Sequence, residues 1–124
     1  MKRIIKKVAV LGSGVMGSRI ACHFAGAGIP VLLLDIAAEG KDRNKIVNDA
    51  LTAAAKSNPS PLYTPDIVKR ISTGNFDDHL KDINGCDWVI EVVVERLDIK
   101  RQLFDKVEQF RKPGSLITSN TSGI

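Results

Sequence analysis

Apolar residues along this chain follow two rhythms. Short unbroken runs, Val8-Ala9-Val10-Leu11 and the stretch 30–34, are too short for helices and read as buried strands. Between and after them the apolar residues recur every three to four positions, which predicts amphipathic helices. One helix is predicted over 15–27 with Met16, Ile20 and Phe24 on its packing face, and Gly28 lies where a C-terminal cap would. A second is predicted over 39–57 with Ile46, Val47, Ala50, Leu51 and Ala54 inward. A third is predicted over 97–111 with Leu103, Phe104, Val107 and Phe110 inward, stopped by Lys112-Pro113-Gly114. Further strands are predicted at 71–73, at 87–93, which is rich in β-branched residues, and at 116–119.

Strand, helix and strand within about 30 residues make a βαβ unit, whose crossover is right-handed and whose strands are parallel. The alternation continues to the end of the chain. The predicted fold class is therefore α/β: a Rossmann-type, doubly wound, mostly parallel sheet with helices on both faces. Asn58-Pro59-Ser60-Pro61 breaks the second helix, and Thr64 with Pro65 opens another as N-cap and first helical residue. This predicts an added helical hairpin after the second strand. The stretch 74–85 reads as a polar connector with one helical turn near 77–81.

The 124 residues suit one domain, and 44% hydrophobic content is that of an ordinary globular chain. No apolar run approaches the roughly 20 residues of a membrane span. The basic start, Lys2-Arg3 and Lys6-Lys7, leads into a strand and not into a signal-peptide pattern, so a cytoplasmic protein is expected. Cys22 and Cys86 fit neither a zinc site nor a redox pair, and reduced structural thiols are expected, with no metal. The net charge of +4 is spread among acids without interleaved aromatics, which points away from nucleic acid and suits an anionic, phosphate-bearing ligand.

That ligand has a candidate site. Gly12-Ser13-Gly14-Val15-Met16-Gly17 follows a predicted strand, opens a predicted helix and precedes an acid, Asp35, at close to the roughly 20-residue distance of the dinucleotide fingerprint. Gly12 permits the tight turn, Gly14 lets a pyrophosphate approach the backbone, and Gly17 lets helix and strand pack closely. The helix N-terminus offers free N–H groups to the phosphates. Asp35, followed by Ile36, can accept hydrogen bonds from the adenosine ribose and repels a 2′-phosphate, which favours NAD over NADP. FAD shares the fingerprint.

Three stretches carry a resemblance. They are 10–18 around the glycine loop, 89–100 with Val92, Val93, Glu95 and Lys100, and 119–122 with Asn120 and Ser122. In them the chain resembles the NAD-binding domain of the L-3-hydroxyacyl-CoA dehydrogenases of fatty-acid β-oxidation. The wording is most similar to the long bacterial proteins that join this dehydrogenase to an enoyl-CoA hydratase. The resemblance implies that Glu95 and Lys100 stand beside the nicotinamide half of the cofactor, with Asn120 also near the cofactor. It implies that Ser122 contacts the substrate's 3-oxygen. Without the resemblance, Glu95 and Lys100 read as a surface pair, and Asn120 and Ser122 as a polar turn. Arg19 and Val92 depart from the family's usual glycine and alanine.

The resemblance also implies a general-base His and its Glu beyond Ile124, and a C-terminal helical substrate and dimer domain, so 1–124 is expected to be a fragment of a larger protein. The partners implied are an acyl-CoA substrate and a second copy of the chain, as a homodimer or larger assembly. His23, within the first helix, and His79, in the connector, are not expected to be catalytic. Other readings are another NAD-dependent hydroxyacid dehydrogenase, or a non-enzymatic NAD-sensing module.

Overall fold

The computed structural model describes residues 5–13, 15–56, 69–92 and 97–119. Among the described residues five strands, β1 (Val8–Leu11), β2 (Val31–Asp35), β3 (Ile71–Asn75), β4 (Trp88–Glu91) and β5 (Leu116–Ser119), form one sheet in the order β3-β2-β1-β4-β5. Every pairing is parallel. The order reverses at β1, from which successive strands are added first on one side and then on the other. That makes the sheet doubly wound, and the crevice at the carboxyl ends of β1 and β4 is its switch point. The continuous apolar runs follow from this arrangement, because each central strand is covered on both faces. Val8, Val10, Val31, Leu33 and Ile90 point into one core layer. Ala9, Leu11, Leu32, Leu34 and Val89 point into the other.

Helices α1 (Val15–Gly26) and α2 (Lys45–Lys56) supply the first layer; α4 (Leu97–Phe110) supplies the second. Between β3 and β4 lie the short α3 (Phe76–His79) and a 3-10 turn (Leu80–Gly85). Gly28, at φ 88°, ends α1 as expected. The first arm of the predicted helical hairpin is α2; its break at 58–61 and the second arm opening at Thr64 fall within residues 57–68, outside those described.

Several expectations are corrected. The face that α1 turns inward consists of Gly17, Ser18, Ala21, Cys22 and Ala25; Ile20 and Phe24 flank it and Met16 is exposed. Small residues win this face because the helix must approach β1 closely behind the glycine turn. Helix α2 starts at Lys45 instead of 39, since the chain first makes a turn in which the Ala38 N–H donates to the Arg43 carbonyl. Within α2, Val47 and Leu51 are buried while Ile46 is 42% exposed. Strand β3 runs on to Asn75, and the connector after it is folded, with Leu80 and Ile83 buried in the second layer. Phe110 lies at the rim of that layer, 36% exposed.

Candidate nucleotide site

Parallel register brings the carboxyl ends of the strands level. Leu11 lies beside Leu34 on one side and Glu91 on the other, and Glu91 lies beside Ser119. Gly12 leaves β1 at φ 115°, a conformation that side chains other than glycine rarely adopt. Its N–H donates to the Leu34 carbonyl at 2.7 Å, so the turn is stitched to β2 from its first residue.

Gly17 sits against that turn. A Cβ there would run into the Gly12 carbonyl oxygen, and Val92 Cγ2 would stand 3.1 Å from it. The same methyl would be 3.1 Å from a Cβ on Gly12. Val92 is buried and is tied to β1 by its N–H, which donates to the Leu11 carbonyl at 2.9 Å. The extra methyls of Val92 thus floor the glycine turn. Behind it, the first turn of α1 carries no acidic residue to neutralise its positive end. Arg19 points outward, exposed.

Asp35 closes the site from β2. Its Oδ2 accepts the Ser13 N–H at 2.8 Å and also the Ser13 hydroxyl, while its Oδ1 accepts the Ile36 N–H at 2.7 Å. Ser13 is 1% exposed, and its carbonyl accepts the Ser18 hydroxyl at 2.8 Å. Acid and glycine turn, separate in sequence, are one hydrogen-bonded unit. Beside it, Ile36 is 48% exposed and begins a cleft of about 200 Å³ lined by Ala37, Phe76, Asp77, Gln102, Leu103 and Lys106.

The outer wall of this cleft is clasped by polar contacts. Arg43 pairs with Asp77 and Asp78 at 3.1 and 2.8 Å, and the Asn75 amide donates to Asn44 and Asp78. Donors from Asn75 and Arg43 hold the Asp78 carboxyl below its ordinary range. Asn75 is 1% exposed and lies opposite Asp35 in the sheet. The His79 ring covers Gly74, and its Nδ1 accepts the Asn75 N–H at 3.0 Å. His79 is thereby built into the wall, and His23 is exposed on α1, away from the strand ends. The site elements missed from the sequence include Asn75 and Phe76. A signal was present, with Phe76, Leu80 and Ile83 at helical spacing.

Of the other expected site residues, Gly14, Val93, Glu95, Asn120 and Ser122 lie outside the described residues. Val15 and Lys100 lie on α1 and α4, with side chains outside the description. Among the described residues, no cluster of three or more His, Cys, Asp or Glu groups could hold a metal ion. No described helix is long and apolar enough to cross a membrane.

Residues 7–124 match the family model described as the NAD binding domain of 3-hydroxyacyl-CoA dehydrogenase. The chain is 43% identical, over its whole length, to a probable 3-hydroxyacyl-CoA dehydrogenase of Bacillus subtilis, and covers 18% of that protein. It is 49% identical, again over its whole length, to a putative fatty acid oxidation complex trifunctional enzyme of Rickettsia felis, covering 17% of it. The fold superposes on a crystal structure of 3-hydroxybutyryl-CoA dehydrogenase from Escherichia coli K12 with a TM-score of 0.77 and 29% identity, over 98% of this chain and 25% of that one. The chain thus spans about a fifth of the length of these two curated relatives.

Proposed function

The chain belongs to the 3-hydroxyacyl-CoA dehydrogenase family as its NAD-binding domain, and from that premise we propose which residues hold the nucleotide and what the whole protein does with it. The observation that carries the reading is the direct bonding of the glycine turn to Asp35. The residues fit the cofactor. Gly12 and Gly17 leave bare backbone where a Cβ would collide, and with Gly14, Val15 and Met16 they bring N–H groups of α1 to the pyrophosphate. Asp35 accepts a hydrogen bond from the adenosine ribose. The cleft from Ile36 to Lys106 takes the adenine, with Phe76 and Leu103 as apolar walls. Val92 and Val93 shape the floor. Glu95, Lys100 and Asn120 stand at the nicotinamide half, and Ser122 holds the substrate's 3-oxygen.

When bound, NAD accepts a hydride, so the reaction of the whole protein is oxidation of a 3-hydroxyacyl-CoA to the 3-oxoacyl-CoA in fatty-acid β-oxidation. The same reading makes the protein a cytoplasmic homodimer or larger assembly with an acyl-CoA substrate. Calorimetry with NAD and NADP tests the site. The wild type should prefer NAD, and Asp35→Ala should lose that preference with roughly a tenfold drop in NAD affinity, as for a charged hydrogen-bond acceptor. Equal binding of the two cofactors by the wild type contradicts the assignment of Asp35. For the reaction, the intact protein should oxidise NADH with acetoacetyl-CoA; exclusive turnover of simple hydroxy acids would sink it.

A further inference from the structure

Within the nucleotide site proposed above, on which this inference rests, Ser13 stands apart. Gly12 and Gly17 matter through backbone and lack of bulk, whereas Ser13 acts through its side chain on Asp35. A carboxylate has about four lone-pair positions. The Ser13 N–H and hydroxyl occupy both positions on Oδ2, and the Ile36 N–H occupies one on Oδ1. Among the described residues no donor takes the second position on Oδ1, which faces an incoming hydroxyl in this reading. Ser13 is itself fixed, buried to 1% exposure and bonded from behind by the Ser18 hydroxyl. Asp35 is only partly buried, so packing alone does not set the tilt of its carboxylate; the donors do.

We infer that Ser13 is a positioning residue for cofactor specificity: its hydroxyl latches the Asp35 carboxylate to the glycine turn, so that the negative charge meets the adenosine ribose in one orientation. A ribose hydroxyl then finds an aligned acceptor. A 2′-phosphate finds a charge that cannot swing aside. Without the latch the carboxylate turns more freely, which weakens the first interaction and relieves the second.

The test is calorimetry on the intact protein with ADP-ribose, NAD, NADP and nicotinamide mononucleotide. Ser13→Ala keeps the backbone donor and removes only the hydroxyl. It should weaken ADP-ribose and NAD about three- to tenfold, the scale of one ordinary hydrogen bond, since the change acts on the ribose only through Asp35. It should narrow the NAD-to-NADP ratio by a similar factor and leave the mononucleotide, which has no adenosine ribose, unchanged. In an Asp35→Ala background the same change should add nothing. Ser13→Gly, which also keeps the N–H, should repeat the result, with thermal melts confirming that each variant is folded. Two outcomes overturn the latch: no effect of Ser13→Ala where Asp35→Ala weakens binding, or an undiminished effect in the Asp35→Ala background. If instead Asp35→Ala leaves NAD binding intact, the nucleotide-site reading itself falls.

Discussion

Gly17 shows what one missing methyl does. Its Cβ position is filled by the Gly12 carbonyl, a backbone atom that cannot rotate away, and by the branched side chain of Val92. Gly17→Ala should therefore push α1 off the turn, with a loss of about 1–3 kcal/mol in urea unfolding, as for other overpacked sites. Nucleotide affinity should fall as well, because the N–H groups at the start of α1 move with the helix. A simultaneous Val92→Ala should not rescue it, since the backbone contact remains. Cys86 is the counter-case, a chemically reactive side chain made inert by its place. Burial in the second core layer lifts its thiol to about 11. Neither it nor buried Cys22 should react with a thiol reagent at pH 8 until the protein is unfolded, and fast labelling of the native protein would contradict this.

At the scale of elements, β3 with α3 is the piece whose job is least evident from its length. Asn75 ends the strand, caps the helix by accepting the Asp78 N–H at 2.7 Å, and reaches back to Asn44 in the turn after β2. One buried amide thus joins three elements along the edge of the cleft. Asn75→Ala should cost about 1–2 kcal/mol, from the lost cap and the polar partners left behind. Thermal and urea melts read that loss. NAD binding should weaken with it as the cleft wall loosens. The sequence marked 74–85 as polar and placed a helical turn there, correctly in kind. It gave no sign that Asn75 would face Asp35, because sheet register depends on partners distant along the chain.

The whole molecule uses the two ends of its sheet differently. The carboxyl ends carry Gly12, Asp35 and Asn75 of the proposed nucleotide site, and the amino ends are tied together. There Asp87 accepts the Lys6 N–H at 2.8 Å and the Lys7 N–H at 3.2 Å, and pairs with Lys112. The Lys112 ammonium and these amides hold the Asp87 carboxyl below its ordinary range. A carboxyl depressed in the folded state stabilises fully above the unfolded value, near 3.9, and that contribution is lost as pH falls through the lower folded value. The gap in urea midpoint between wild type and Asp87→Asn should therefore be constant from pH 7 to 5 and shrink toward pH 2–3. A gap that widens on acidification contradicts this.

Much was legible without coordinates, because it is written in short-range pattern. Apolar runs against helical spacing separated strands from helices. The glycine fingerprint with Asp35 predicted a dinucleotide, and the motif stretches predicted the family to which residues 7–124 belong. Tertiary structure alone decided the strand order β3-β2-β1-β4-β5 and the small-residue face of α1, and it brought Ser13 to Asp35 and Phe76 to Leu103. The physical reason is the range of the interactions. Periodicity records which side of an element is buried, whereas the identity of the neighbour comes from parallel register and close packing between segments far apart in the chain.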